Sequence, residues 1–274
     1  MTIQQYQPIV CPKIWGAERW LISPYGDART LTIQGEDALG DYPLLIKHIT
    51  ARDDLSLQVH PDDNYARAHG LPNGKTEMWY VTRAARGAQI IMGIDACRAD
   101  APDIGIERYR KVPVKRGDVC FIPAGRVHAL GSGVEVLEIQ QSSDATYRLF
   151  DYGRMGADGK PRPLHIKDAR AVMESSSPDE VMTVYNRKKE GVTSLVKCDA
   201  FDVRRIYTSE QMQVPIAERT AIICVRGECV VRSGEQEAHL CEPSDALLLL
   251  PQGIEQLTIQ PLTRDAELLL AIGH

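Results

Sequence analysis

A succession of short β-strand patterns between residues 43 and 140 limits what this chain can fold into. Each pattern is a short apolar run or alternates apolar with polar residues, and each is bounded by glycine, proline or charged residues. The segments are Pro43–Thr50, Leu55–His60, Thr76–Thr82, Gln89–Gly93, Val112–Val114, Val119–Ile122, Val127–Leu130 and Val134–Gln140. Short strands at this spacing are typical of an antiparallel barrel or sandwich, so we expect a mainly β fold.

A second group of β patterns follows a polar, serine-rich stretch and runs from Thr193 to the last residues of the chain. We therefore predict two domains: residues 1–175 as the first barrel, residues 176–192 as a linker, and residues 193–274 as a second β unit. The spacing Pro123-x-Gly125-x-x-His128 returns as Pro251-x-Gly253-x-x-Gln256. The second unit is therefore interpreted as a degenerate copy of the first that has lost its histidine.

The first domain is expected to carry an N-terminal arm and a few short helices. The arm is Tyr6–Trp20, where prolines and two tryptophans surround a glycine with little periodicity. Proline and acidic residues favour a helix start at Asp62–His69, and weaker helical signals cover Asp100–Tyr109 and Ile166–Glu174.

Composition and charge exclude several classes of protein. The formal net charge is −5 and no lysine or arginine run is present, which argues against nucleic acid or an anionic membrane as the principal partner. No apolar run approaches the ~18 residues of a membrane span, and residues 1–10 do not resemble a secretory signal. The seven cysteines include no Cys-x-x-Cys pair, which favours reduced thiols and a cytoplasmic protein.

Four residues on these strands have the side chains and the spacing of a metal site. Alternation along Leu55–His60 directs Gln58 and His60 to one face, and Glu77 could bring a carboxylate from a neighbouring strand. His128 follows a tight turn at the start of another strand. We expect these four residues to lie together in the first unit, and we expect the second unit to be free of metal.

The same motifs resemble a known family. The segment from Gly117 to His128 is similar to the second metal motif of the cupins, and Gln58-x-His60 with Glu77 resembles the first motif of type I phosphomannose isomerases. The resemblance covers roughly residues 10–175 and weakens beyond Pro178. It is carried by Ser56–Asp63, Gly74–Glu77 with Trp79-Tyr80, Pro123–Ala129 and Leu137–Tyr152.

The resemblance implies two cupin-like jelly rolls and an aldose–ketose isomerase that interconverts mannose 6-phosphate and fructose 6-phosphate through an enediol-type intermediate. It implies one zinc ion per chain, held by Gln58, His60, Glu77 and His128, although a mixed nitrogen and oxygen site also suits iron or manganese. Arg148 corresponds to the active-site arginine, and we expect it to stabilise enediolate charge. Lys75 is expected to bind the sugar phosphate substrate close to the metal.

Two other functions are compatible with a cupin metal site. A metal-dependent dioxygenase would need an iron site open to oxygen, and a more histidine-rich set would be expected there. A sugar-binding or regulatory cupin without catalytic activity is the third alternative, and the sequence leaves the oligomeric state open.

Overall fold

The computed structural model describes residues 1–94, 106, 109–156, 158–174 and 182–274. These residues divide into two compact units. The central unit comprises Pro12–Glu18 and Ile49–Thr183, and the terminal unit comprises Met1–Cys11, Arg19–His48 and Val184–His274. In the described part of the chain, no helix is long and apolar enough to cross a membrane.

The described elements are strands with two short α-helices, which confirms the mainly β, cupin-like jelly-roll prediction. The first part of the chain contains β1 (Thr2–Gln5), β2 (Ile9–Lys13), β3 (Gly16–Ile22), β4 (Leu44–Ala51), β5 (Leu57–Val59), α1 (Asp63–Ala68), β6 (Glu77–Ala84), β7 (Gln89–Ile94), β8 (Tyr109–Pro113), β9 (Val119–Ile122), β10 (His128–Leu130), β11 (Val134–Gln141) and β12 (Tyr147–Phe150). The second part contains α2 (Ile166–Val172), β13 (Gly191–Lys197), β14 (Phe201–Thr208), β15 (Met212–Ile216), β16 (Thr220–Arg226), β17 (Glu228–Ser233), β18 (Gln236–Cys241), β19 (Ala246–Leu250), β20 (Glu255–Pro261) and β21 (Ala266–Gly273).

Two sheets build the barrel of the central unit. One has the order β12–β5–β10–β7–β8, and the other contains the neighbouring strands β11–β6–β9. Inward-facing side chains from both sheets form one apolar cluster, to which Trp79 and Val136 contribute from one sheet and Ile90 and Leu130 from the other. The alternation seen in the sequence thus separates an apolar barrel interior from an outer face.

The outer face of the β12–β5–β10–β7–β8 sheet is also covered. Leu57, Val59 and Leu149 pack there with Ala169 of α2, and all four are buried. Helix α1 begins with a side-chain cap, because Asp62 Oδ1 accepts the backbone N–H of Tyr65 at 2.7 Å. The structure confirms the two helices predicted at Asp62–His69 and Ile166–Glu174. Residues 100–105 and 107–108 of the third predicted helix lie outside the described residues.

The terminal unit has the same two-sheet plan. Its sheets have the orders β1–β19–β16–β21–β14–β13 and β15–β20–β17–β18, and the apolar cluster of this unit includes Ile222, Leu247, Leu257 and Leu268. Strand β1 belongs to this unit because it pairs with β19, with Thr2 opposite Leu250.

The sequence interpretation differs from this arrangement at the N-terminus. It placed residues 1–175 in one domain and described Tyr6–Trp20 as an arm, whereas residues 1–11 and 19–48 group with Val184–His274 and the strands β2 and β3 lie in the proposed arm. The predicted boundaries near residues 175 and 193 stay a prediction, because residues 176–181 of the expected linker lie outside the described part.

Candidate metal centre and active site

The central unit brings the two predicted histidines and the carboxylate together. Glu77 is the first residue of β6, His128 is the first residue of β10, and His60 directly follows β5. Their metal-ligating atoms lie within 4.8 Å of one another. His128 Nε2 is 3.2 Å from Glu77 Oε1, and His60 Nε2 is 3.6 Å from Glu77 Oε2. All three side chains are at most 1% exposed, so water does not screen their interactions.

Hydrogen bonds on the far side of each ring fix the histidine tautomers. His60 Nδ1 lies 2.7 Å from the carbonyl oxygen of Ala145, and His128 Nδ1 lies 2.9 Å from that of Arg126. A carbonyl can only accept, so each Nδ1 carries the proton and each Nε2 presents a lone pair to the site. Two imidazole lone pairs and a carboxylate therefore converge, and none of these three groups can donate a hydrogen bond to another.

Such a donor set fits a metal cation. Glu77 Oε1 is buried without a hydrogen-bond partner although His128 Nε2 is close, because both of these atoms are acceptors. Two facing acceptors repel one another unless a cation lies between them. Two neutral imidazoles and a carboxylate are the ligands that suit zinc and similar divalent ions.

The ionisation states also suit a cation. Burial and the neighbouring Lys75 ammonium lower the pKa of His60 well below its usual range, which keeps the imidazole neutral. Burial alone would raise the pKa of Glu77, but the charge of Lys75 and the interactions with the His60 and His128 rings outweigh it and lower the pKa. Glu77 therefore stays ionised inside the barrel.

Two glycines bring the motifs into contact. Gly125 has φ +85° and donates its N–H to the carbonyl of His60 at 2.9 Å, so the turn before β10 is hydrogen-bonded to the end of β5. A Cβ at Gly74 would lie 2.5 Å from the backbone of Asp62, so only glycine permits this approach. The Gly74 turn places the next residue, Lys75, beside the donor set.

Lys75 lies beside two of the candidate metal ligands, His60 and Glu77. Its side chain is buried, and its Nζ forms an ion pair with Glu77 Oε2 and lies 3.0 Å from His60 Nε2. The ammonium group is the cation that the described residues provide to the converging acceptors.

Arg148 lies on the same face of the barrel wall. It is the register partner of Gln58 in the ladder between β12 and β5, and Gln58 is in turn the partner of His128 in β10. Side chains directly opposite one another project from the same face of a sheet. The three residues therefore form a row across three strands, and the arginine approaches the donor set from the side of Gln58.

The segment after β12 holds Arg148 in place. Arg148 donates its backbone N–H to His165 Nδ1 at 3.2 Å and accepts the backbone N–H of His165 at 2.8 Å. Its Nη1 donates to the carbonyl of Pro163 at 2.9 Å. Burial and the charge of Arg162 lower the pKa of Arg148, and Asp151 partly offsets them.

Gln58 is beside the donor set but presents its nitrogen. Gln58 Nε2 is 3.4 Å from His128 Nε2, and Gln58 Oε1 accepts from Ser56 Oγ at 3.4 Å. An amide binds a metal through oxygen, so ligation by Gln58 would require the amide to turn over. Its role as a ligand stays a prediction.

Sequence reasoning missed two features near the site. Asp151 is buried and forms ion pairs with Arg154 and Arg162 at 2.6 Å each, close to Arg148. Gln140 is fully buried opposite Glu77. Alternation places Gln140 on one face of β11, but the sequence does not show which face lines the barrel.

The terminal unit contains a second group with metal-ligand chemistry. Glu228, His239 and Cys241 lie on the hairpin of β17 and β18, and their ligand atoms are within 4.8 Å of one another. Glu228 and His239 are exposed, unlike the residues of the central site. The expectation that the second unit binds no metal stays a prediction.

Fold and site together define a protein of the cupin type, with a candidate metal site inside a jelly-roll barrel. No protein-family model matches the chain. Curated proteins do match: it is 38% identical over 229 residues to the mannose-6-phosphate isomerase ManA of Bacillus subtilis, covering 80% of this chain and 72% of that protein. It is 43% identical over 143 residues to the mannose-6-phosphate isomerase of Streptococcus mutans, covering 50% of this chain and 45% of that one.

Solved structures agree with these matches. The crystal structure of the Bacillus subtilis mannose 6-phosphate isomerase superposes with a TM-score of 0.85 at 25% identity, covering 99% of both chains. The apo form of the Salmonella typhimurium enzyme shares the fold, with a TM-score of 0.75 at 15% identity. The chain belongs to the mannose-6-phosphate isomerase family.

Proposed function

We propose that this protein is an aldose–ketose isomerase that interconverts mannose 6-phosphate and fructose 6-phosphate in the cytoplasm. The observation that carries the proposal is the convergence of His60 Nε2, His128 Nε2 and the Glu77 carboxylate in a member of this family. The reaction moves a proton between C1 and C2 of the sugar, and negative charge develops on the oxygen atoms during that transfer. A site that performs it needs positive charge beside those oxygens.

The donor set would hold one divalent cation per chain, which we propose to be zinc. His60, Glu77 and His128 supply the two imidazoles and the carboxylate, and Gln58 would be the fourth ligand. When bound, the ion supplies Lewis-acid stabilisation of the developing oxyanion. The Nδ1 hydrogen bonds of both histidines orient the rings for this role.

Two cationic side chains complete the proposed site. Arg148 retains its charge at neutral pH, and its position beside Gln58 suits stabilisation of enediolate charge. The buried ammonium of Lys75 would bind an oxygen atom of the sugar phosphate, and it lies within reach of the same ligands.

Conversion of mannose 6-phosphate by zinc-loaded protein tests the proposal. In deuterium oxide, NMR spectroscopy should show fructose 6-phosphate with deuterium entering C1, because an enediol exchanges its proton with solvent. His128→Ala serves as the control and should be inactive. Binding of the sugar phosphate without conversion would favour a non-catalytic cupin, and oxygen consumption without isomerisation would favour a dioxygenase.

A further inference from the structure

Gln140 lies directly opposite Glu77 in the antiparallel ladder between β11 and β6. Opposite residues project their side chains from the same face, with Cβ atoms about 4.5–5.5 Å apart. Glu77 points to the donor set, so Gln140 projects from the same side of the sheet. Its side chain is fully buried.

The hydrogen bonds of Gln140 fix the orientation of its amide. Nε2 donates to the backbone carbonyl of Gln141 at 2.8 Å and to that of Ser143 at 2.8 Å. Because both partners can only accept, this end of the amide must be the NH₂ group. The opposite end is therefore the carbonyl oxygen, and Oε1 is buried without a hydrogen-bond partner among the described residues.

The strand-end segment that anchors Gln140 also contacts the site. Ser143, which accepts from Gln140 Nε2, donates its hydroxyl to the carbonyl of Asn73 at 3.0 Å. Two residues further on, the carbonyl of Ala145 lies 2.7 Å from His60 Nδ1. Gln140 is thus held at the end of the barrel where His60 and Lys75 enter the site.

A buried carbonyl oxygen without a hydrogen-bond donor is uncommon in native proteins. The donor normally comes from another protein group, from water or from a ligand. The ammonium of Lys75 is directed to His60 and Glu77, so it does not supply the missing donor to Gln140 Oε1. A bound sugar brings several hydroxyl donors into such a site. A neutral carbonyl oxygen can accept a hydrogen bond from one of them, and a sugar that lacks this hydroxyl then binds more weakly.

We propose that Gln140 Oε1 accepts a hydrogen bond from one of the hydroxyl groups on C2 to C5 of the bound sugar, which makes Gln140 a specificity-determining residue. The proposal rests on the proposed function, since it assigns the ligand of that site. It requires Gln140 to distinguish a sugar that carries the hydroxyl from one that lacks it.

The test compares binding of a sugar phosphate that cannot react. Mannitol 1-phosphate, the reduced form of mannose 6-phosphate, and four analogues that each lack one hydroxyl, at the carbons corresponding to C2, C3, C4 or C5 of the sugar, are titrated by calorimetry into zinc-loaded protein. Gln140→Met should weaken binding of mannitol 1-phosphate by about 10-fold. One of the four analogues lacks the hydroxyl that donates to Gln140 Oε1. For this analogue Gln140→Met should change the dissociation constant by less than about 2-fold, because the wild-type protein does not form that hydrogen bond with it either.

Gln141→Met is the matched control. Gln141 accepts the N–H of Thr76 at 2.8 Å and donates to Asp63 at 3.1 Å, so its amide is used within the protein. We expect this variant to affect all five compounds by the same factor. If Gln140→Met also weakens all five equally, or weakens none, the hydroxyl contact is absent. If the wild-type protein binds none of them, the proposed function itself has failed.

Discussion

Arg148 and Gln58 are register partners across the ladder between β12 and β5, and Gln58 is likewise the partner of His128 in β10. This row places a cation on the barrel face that carries the candidate metal donors, although Arg148 is 88 residues beyond His60 along the chain. A residue in that position can act on substrate without binding the metal, and this difference can be measured.

Arg148→Ala is expected to lower kcat while leaving the metal content unchanged. The loss should be on the order of 10² to 10³, the size found for removal of one preorganised oxyanion partner. Arg148→Lys should restore little activity, because a point charge cannot reproduce the planar guanidinium that donates to Pro163. Steady-state kinetics with elemental analysis measure both quantities. A raised KM with kcat intact would instead show that Arg148 anchors the ground state.

His128→Ala and Glu77→Ala are expected to abolish both metal binding and turnover in a protein that remains folded. The barrel core is an apolar cluster that includes Trp79, Ile90 and Val136, and the metal donors do not form it. Elemental analysis and circular dichroism after purification test the two halves of this expectation. Activity in both variants after treatment with a chelator would contradict metal-dependent catalysis.

His239→Ala should leave the metal content at one ion per chain. His239 and Glu228 are exposed, so solvent competes for any ion held there, whereas the central donors are buried. The comparison is made by elemental analysis of wild type, His239→Ala and His128→Ala after identical dialysis. A wild-type value near two that falls to one in His239→Ala would place a metal in the terminal unit.

Asp151→Asn should lower the melting temperature at neutral pH and lose this effect in acid. Burial alone would raise the pKa of Asp151, but hydrogen bonds and charges from Arg162 and Arg154 outweigh it and lower the pKa. The unfolded carboxyl titrates near pH ~3.9, so the stabilisation is full above that value and disappears as the pH falls through the lower folded pKa.

The melting-temperature difference between wild type and Asp151→Asn should therefore be constant between about pH 5.5 and 8 and narrow below about pH 4. Glu135→Gln is the control, because its partner Arg83 is 75% exposed and such surface pairs contribute little. If the melting-temperature difference between wild type and Asp151→Asn does not become smaller below about pH 4, the ion pairs of Asp151 do not stabilise the fold.

The convergence of His60, Glu77 and His128 could be predicted from the sequence because their positions depend on local rules. Alternation along a strand determines which face each side chain occupies, and the tight turn before His128 determines where the next strand begins. Both rules depend only on residues a few positions apart in the sequence. Gln140 could not be found in this way. Its face depends on the register with Glu77 and on the bulge between Glu135 and Val136, which only the paired strands determine.

The N-terminal strands show the same limit on a larger scale. The pairing of β1 with β19 joins opposite ends of the chain, and neither segment carries a local signal for its partner. The strands β15 and β18 have weak local signals for a related reason, since Met212–Ile216 contains a proline and Gln236–Cys241 contains only two buried apolar residues.

The most direct test of the central claim is a zinc titration of the metal-free protein, with isomerase activity measured at each step. His60, Glu77 and His128 form one buried donor set. Activity on mannose 6-phosphate should therefore increase linearly with added zinc and reach a plateau at one equivalent per chain. His60→Ala should show no such rise. Full isomerase activity in protein that contains no metal, or activity that continues to increase up to two equivalents, would contradict the account.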